Sequence, residues 1–263
     1  GTCLVTATMA GDDDYEPVDS AATTVTFAKA SQTITFANPA SSGATYGDAT
    51  IPVAPTSSSG LSVTLTPTDA SVCTVSGGGV NLVSAGTCEI TASQTGNGNY
   101  LAASDVVRSF TIAKANQATL TMTSPSSAIY GETITLAASG GSGTGAVSFG
   151  VVTGTCTIAG STLTLGDAGS TCSVSATKQT DANYNLQTSA PQPITISKAG
   201  QTLAFTSSVP TSPVSGNTYT PAAAATSTVT GSSSGVTPSI TASGTCSIAG
   251  GVVTFTASGA CTL

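Results

Sequence analysis

The sequence predicts an all-β fold of tandem β-sandwich units, each about 85 residues long. Short apolar runs alternate with Thr and Ser at a period of two, which is the pattern of half-buried strands. Gly, Pro and Asn separate these runs. A pair of cysteines also returns in each unit. Together these observations predict serial beads of sheet joined without flexible linkers.

An internal repeat organises the chain. The text of Gly86–Gln117 recurs in two other places, Gly1–Gln32 and Ser170–Gln201. Its marker Lys-Ala-x-Gln begins at Lys29, Lys114 and Lys198, which are 85 and 84 residues apart. We therefore predict four segments: residues 1–29 as the C-terminal part of a repeat, complete repeats at 30–114 and 115–198, and a repeat at 199–263 without its last strands.

The two outer segments have two explanations. The sequence is a window on a longer chain, or the head of one molecule completes the tail of the next by strand donation. In the second case the overlapping segments Gly1–Val5 and Gly259–Leu263 bring Cys3 and Cys261 into competition for Cys246. This competition favours the window.

Within the first complete repeat, alternation and turn residues predict seven strands. The hairpin turn Ser76–Gly79 separates the fourth strand from the fifth. The predicted strands are Gln32–Phe36, Thr50–Ala54, Leu61–Thr66, Val72–Val75, Val80–Val83, Thr87–Ser93 and Val106–Ile112. Seven strands in about 85 residues is the size of an immunoglobulin-like sandwich.

The composition excludes several classes of function. The net charge is −7, with five basic and twelve acidic residues, so we expect no nucleic-acid partner. No apolar run approaches the roughly 20 residues of a membrane helix, and we expect no membrane insertion in this segment. Because histidine is absent, His-dependent nucleophiles and His-ligated metals are excluded. We expect no enzyme activity, no cofactor and no metal.

Six of the seven cysteines form pairs of similar spacing. The pairs are Cys73 with Cys88, Cys156 with Cys172, and Cys246 with Cys261, separated by 15, 16 and 15 residues. A cysteine pair inside each repeat predicts one disulfide per repeat. The alternatives are buried free thiols or a zinc site, and no CxxC supports the latter. Disulfides persist outside the reducing cytosol, so we expect an extracellular or cell-surface location.

Cys3 is the odd thiol. It aligns with the second member of each pair, which places its expected partner about 15 residues upstream of Gly1. We interpret it as unpaired through truncation.

Several motifs carry a resemblance to a known family: Gly86-Thr-Cys-x-Ile-Thr-Ala, Gly96-Asn-x-Asn-Tyr100, Ser109-Phe-Thr-Ile-x-Lys-Ala115, and the opening Gln-x-Ile-x-Phe of Gln32–Phe36. With them the chain resembles the bacterial immunoglobulin-like (MBG-like) tandem repeats of large surface adhesin and stalk proteins. The resemblance implies modules that space other domains. The chain departs from antibody domains because it has no Trp and its cysteines are too close in sequence.

Two further motifs could carry chemistry. Asp12, Asp13 and Asp14 form an acidic cluster that could hold calcium between beads, or a solvated loop with Asx turns. Lys29, Lys114 and Lys198 recur where the repeats join. A Lys–Asn isopeptide with Asn99 or Asn183 is one interpretation of them, and a lysine stem packed at the junction is the other.

The expected role is structural. We expect a non-enzymatic extracellular shaft of a bacterial surface stalk, adhesin or filament. The alternative is a carbohydrate- or cell-binding adhesion module with its ligand sites on loops. Because the strands carry almost no charge to guard their edges, we expect the partners to be neighbouring copies of the same repeat or chain, joined in a filament or laterally.

Overall fold

The computed structural model describes residues 1–40, 43–229 and 236–263, and over these ranges the chain is all-β without a helix. The predicted repeats 30–114 and 199–263 include residues 41–42 and 230–235, which lie outside the described residues. The chain divides into two compact units. The first holds Gly1–Gln117 and Thr180–Asn185, and the second holds Ala118–Gln179 and Leu186–Leu263.

The described part of the first unit contains thirteen strands. They are β1 Thr2–Val5, β2 Thr8–Met9, β3 Val18–Asp19, β4 Thr23–Thr26, β5 Ile34–Thr35, β6 Ala44–Thr45, β7 Ile51–Pro52, β8 Thr56–Ser57, β9 Thr64–Pro67, β10 Cys73–Ser76, β11 Gly79–Leu82, β12 Gly86–Ser93 and β13 Val106–Ala113. All seven strands predicted for the first complete repeat are present, as β5, β7 and β9 to β13. The two short strands β6 and β8 were not predicted.

Two main sheets form the first complete repeat. One has the strand order β10-β11-β7, and the other has the order β6-β13-β12-β9. The pairings are antiparallel except between β6 and β13, which run parallel with Ile112 opposite Ala44. The second sheet is therefore mixed.

The core of this repeat takes side chains from both sheets. Val80 from the three-stranded sheet is fully buried in one cluster with Ile90 and Ile112 from the four-stranded sheet. Along β12, Cys88, Ile90 and Ala92 are buried while Glu89 is exposed, which is the period-two pattern read from the sequence. Two layers of sheet that share one core fit a β-sandwich.

The hairpin between β10 and β11 depends on two glycines. Ser76 pairs with Gly79 across the turn, and Gly77 and Gly78 have φ values of 58° and 78°. A two-residue turn with positive φ at both central positions is the type that matches the right-handed twist of the strands. The predicted turn Ser76–Gly79 is confirmed.

The described part of the second unit contains seventeen strands. They are β14 Leu120–Met122, β15 Ser127–Ile129, β16 Thr133–Thr135, β17 Ala138–Gly140, β18 Val147–Thr153, β19 Thr157–Ala159, β20 Thr162–Thr164, β21 Thr171–Lys178, β22 Gln187–Thr188, β23 Gln192–Ser197, β24 Gln201–Phe205, β25 Thr218–Tyr219, β26 Ala223–Ser227, β27 Ser243–Gly244, β28 Cys246–Ala249, β29 Val252–Phe255 and β30 Cys261–Thr262. The first half of this unit has a sheet arrangement like that of the first complete repeat. A three-stranded sheet, β16-β20-β19, accompanies a larger sheet, β15-β23-β21-β18, with β22 beside β21.

The segment 199–263 is less enclosed. Its sheets are β24-β26, β25-β29-β28 and β27-β30. Val253 is fully buried, but every residue of β24 is exposed. Leu203 and Phe205 on that strand are 61% and 49% exposed, whereas Phe36 in the first repeat is 4% exposed.

Candidate functional site

The first element of the site is the disulfide that each repeat contains. Cys73 begins β10 in the three-stranded sheet, and Cys88 lies on β12 in the four-stranded sheet. Their Cα atoms are 5.7 Å apart, they are bonded, and both residues are fully buried. The bond therefore crosses the core and ties the two layers together.

The other two pairs occupy the same places. Cys156 precedes β19 and is bonded to Cys172 on β21, with a Cα–Cα distance of 6.1 Å. Cys246 begins β28 and is bonded to Cys261 on β30, with a Cα–Cα distance of 5.4 Å. The first and third bonds link two different sheets, and the second links the residue before β19 to strand β21 of the other sheet. Among the described residues Cys3 is the free cysteine, and it is exposed.

The side chain of Asp69 stabilises the turn that precedes Cys73. Asp69 accepts hydrogen bonds on Oδ1 from the backbone N–H of Ser71 at 2.8 Å and from its Oγ at 2.7 Å. These bonds hold the pKa of Asp69 below its ordinary value, because they favour the charged carboxylate. The Cys73 N–H donates to the Asp69 carbonyl oxygen at 3.2 Å, so this turn also fixes the start of β10.

The second element is the junction where one repeat passes into the next. The Ala30 N–H donates to the Asn99 carbonyl at 2.8 Å, and the Ala30 carbonyl accepts the N–H of Leu101 at 2.8 Å. Ala30 thus forms a parallel bridge to Tyr100, which lies between these two partners. The backbone that enters the repeat therefore both donates to and accepts from a loop near the end of the same repeat.

The second junction is built identically. The Ala115 N–H donates to the Asn183 carbonyl at 2.9 Å, and its carbonyl accepts the Asn185 N–H at 2.9 Å. Ala115 forms the parallel bridge to Tyr184. We call this arrangement, the Ala of Lys-Ala-x-Gln bridged to the Tyr-bearing loop, the junction clamp.

The glutamine of Lys-Ala-x-Gln completes the junction clamp. Gln32 is 7% exposed, and its Nε2 donates to the Leu101 carbonyl at 2.7 Å. Gln117 is 6% exposed, and its Nε2 donates to the Asn185 carbonyl at 2.8 Å. A buried amide is costly unless its hydrogen bonds are made, so each glutamine selects the clamped position of its loop. The sequence marked this residue by its recurrence but did not show its role.

Three loops that carry a tyrosine contain the same turn. In the loop of Tyr184, Asp181 Oδ1 accepts the N–H groups of Asn183 and Tyr184 at 2.9 and 2.8 Å. Asn97 binds the corresponding N–H groups at 2.8 and 3.0 Å, and Asp12 binds them at 2.9 and 2.9 Å. These are Asx turns, as the turn chemistry of Asn and Asp predicts.

This geometry gives the acidic cluster a local role. Asp12 uses Oδ1 to cap its own turn, and Asp13 and Asp14 are exposed. Over the described ranges no group of three or more His, Cys, Asp or Glu side chains is placed to hold a metal ion.

Lys114 binds the loop Thr180–Asn185, which connects β21 to β22. Its Nζ donates to Thr180 Oγ1 at 3.1 Å and to the carbonyl oxygen of Asp181. The side chain of Asn183, a candidate isopeptide partner, instead accepts the N–H of Ala85 on Oδ1 at 2.9 Å. Lys114 and Asn183 thus make different bonds in one network.

An aromatic contact seats the same loop on the first complete repeat. The rings of Tyr46 and Tyr184 meet edge to face, with centroids 5.5 Å apart and planes at 82°. Such pairs contribute about 0.5–1.5 kcal/mol beyond the area they bury. Thr180–Asn185 therefore belongs to the first compact unit although its place in the sequence is in the second repeat.

The chain has no match among protein-family profiles or curated proteins. Over the described residues, the structure also holds no helix with the length and apolarity to cross a membrane. The sequence predicted the cysteine pairs that are bonded in the structure. It missed the partners of the glutamines and the Asn183–Ala85 contact, because each joins residues more than 60 positions apart.

Proposed function

We propose that the chain is a non-enzymatic structural protein, a shaft of immunoglobulin-like β-sandwich repeats in a bacterial surface stalk, adhesin or filament. The observation that carries the proposal is the junction clamp, which recurs at Ala30 and Ala115. Each clamp fixes the entering backbone by hydrogen bonds on both sides, so the link contributes little slack when the chain is pulled. A protein that must span a long distance benefits from links that do not extend under tension.

The disulfides support the same role. A covalent bond inside each repeat keeps part of it closed when force or a protease opens the rest. In the chain-entropy treatment, closing a loop of 15 residues stabilises a repeat by about 3 kcal/mol. Bonds of this kind belong to oxidising compartments, which favours an extracellular location.

Thiol trapping in the source cells tests the proposal. Intact cells are quenched with an alkylating agent, and the protein is isolated and analysed by mass spectrometry of its peptides. We expect the six paired cysteines to be protected from alkylation. Immunogold electron microscopy on the same cells should label thin surface projections. Alkylation of all seven cysteines, or label confined to the cell interior, would refute the extracellular role.

A further inference from the structure

The sequence contains one Asn-Gly pair, Asn97-Gly98, and it lies in the loop that the first junction clamp holds. Both residues are exposed. An Asn side chain followed by Gly is open to attack on its amide carbon by the next backbone nitrogen, because glycine places no side chain in the way. At Gly98 the position that a Cβ would occupy meets no atom within 4 Å. The pair therefore has no steric protection.

The turn leaves the attacking and leaving nitrogens free and holds the amide oxygen. Over the described residues, the Gly98 N–H and the Asn97 Nδ2 donate to no acceptor. Asn97 Oδ1 instead accepts the N–H groups of Asn99 and Tyr100 at 2.8 and 3.0 Å. This oxygen takes the negative charge when the amide carbon is attacked. Two backbone donors at this distance stabilise such a charge, as the donors of an oxyanion hole do.

The other two loops with this turn lack the pair. At the equivalent places they carry Asp12 followed by Asp13, and Asp181 followed by Ala182. Their carboxylates accept the same two N–H groups that the Asn97 amide accepts in its own loop. A carboxylate at position 97 is thus compatible with the turn, and the reactive amide is peculiar to this loop.

We propose that Asn97 is a self-modification site, which deamidates through a cyclic imide with Gly98 and so ages the first junction clamp. The Gly98 nitrogen gives its proton to solvent and bonds to Cγ of Asn97. The Cγ–Nδ2 bond breaks, and this nitrogen leaves as ammonia with a proton from water. Water then opens the imide at one of its two carbonyl groups. Opening at Cγ gives aspartate, and opening at the main-chain carbonyl gives isoaspartate.

The two products act differently on the turn. Aspartate retains the side-chain oxygen that accepts from Asn99 and Tyr100, and it adds one negative charge to the net −7 of the chain. Isoaspartate routes the main chain through Cβ, which inserts a methylene group before Gly98 and displaces the acceptor of the two N–H groups. Tyr100 is the residue bridged to Ala30. Isoaspartate therefore loosens the clamp, and aspartate leaves it intact.

This reaction goes beyond the proposed structural role and does not depend on it, because it needs only water and the groups of one turn. The first junction clamp then has a chemical lifetime. The second clamp, at Ala115, does not share it, because its loop carries Asp181 in place of the amide. In a long-lived shaft, the fraction of isoaspartate at position 97 would record the age of the chain.

Peptide mass spectrometry of the purified chain during incubation in neutral buffer tests the reaction. In heavy-oxygen water each conversion adds one labelled oxygen atom, which separates it from deamidation during sample handling. We expect Asn97 to convert at least about tenfold faster than Asn217, an exposed Asn followed by Thr218, a difference of about 1.4 kcal/mol in activation free energy. Equal rates at the two positions overturn the proposal.

Gly98→Ala isolates the role of the missing side chain. The variant should keep the turn, because φ is not positive at Gly98 and the added Cβ meets open space. Conversion of Asn97 should slow at least about tenfold, since the methyl group hinders attack by the backbone nitrogen. An unchanged rate in this variant counts against the cyclic imide.

Amide hydrogen exchange tests the consequence for the clamp. The Ala30 and Leu101 N–H groups are the two donors of the bridge. Aged protein enriched in isoaspartate should exchange both faster than fresh protein, whereas Asn97→Asp, the matched control for the other product, should exchange them at the wild-type rate. The amides of Ala115 and Asn185 belong to the second clamp and should not change. Unchanged exchange at Ala30 and Leu101 in the isoaspartate fraction would overturn the effect on the clamp.

Discussion

Removing one disulfide should lengthen the unfolded chain by an amount set by its position. While Cys73 and Cys88 are joined, the chain between them cannot extend, and 15 residue steps span only 5.7 Å. At about 3.6 Å per residue, those 15 steps reach about 54 Å when extended. The Cys73→Ser/Cys88→Ser variant should therefore release about 48 Å of additional contour length on unfolding.

Single-molecule force spectroscopy measures this length directly. The chain is held at its two ends and extended, and the contour-length increment of the first repeat is compared between variant and wild type. The variant should also unfold with a free energy lower by about 3 kcal/mol, from the chain-entropy term for a 15-residue loop. Cys3→Ser is the control and should change neither quantity, because Cys3 is unpaired and exposed. Equal increments in wild type and double variant would refute the reasoning.

Three further changes test the junction clamp and the turns. Gln117→Leu removes the amide that donates to the Asn185 carbonyl and should lower the free energy of unfolding by about 1–3 kcal/mol in chemical denaturation; no change would exclude the clamp role. In Gly78→Ala the added Cβ meets no atom within 4 Å, so only the backbone strain at φ +78° acts. We expect the free energy of unfolding to fall by about 1–2 kcal/mol. Gly98→Ala is the milder comparison, because φ is not positive at Gly98. Asp69 has a lowered pKa, so its contribution to stability is present above its unfolded pKa and disappears as the pH falls through the lower folded value. Asp69→Asn should remove that contribution at neutral pH and flatten this part of the stability curve, and an unchanged curve would contradict the assigned cause.

The strands show how much of the fold the local sequence pattern predicts. Leu61–Thr66 and Val106–Ile112 alternate clearly, and the structure places β9 and β13 over or beside these ranges. Ala44–Thr45 became strand β6 without any such signal, because two residues cannot display a period. Its parallel pairing with Ile112 and Ala113 depends on tertiary packing, which no local window contains.

The site divides in the same way. The recurrence of a cysteine pair inside each repeat is visible in the sequence, and the pairs that it predicts are bonded in the structure. The bond from Gln32 to the Leu101 carbonyl spans 69 positions and involves a backbone oxygen, which every residue has. Only the recurrence of glutamine after Lys-Ala pointed to it, and recurrence shows that a residue matters without showing what it touches.

The loop Thr180–Asn185 has a consequence for how the repeats melt. Its flanking strands β21 and β22 belong to the second unit, while Asn183 and Tyr184 bind Ala85 and Tyr46 in the first. Unfolding the second repeat would withdraw these contacts from its neighbour, so the stability of one repeat contains a nearest-neighbour term from the other. Cooperativity would then run along the array, and a repeat excised by itself would be weaker than the same repeat within the chain.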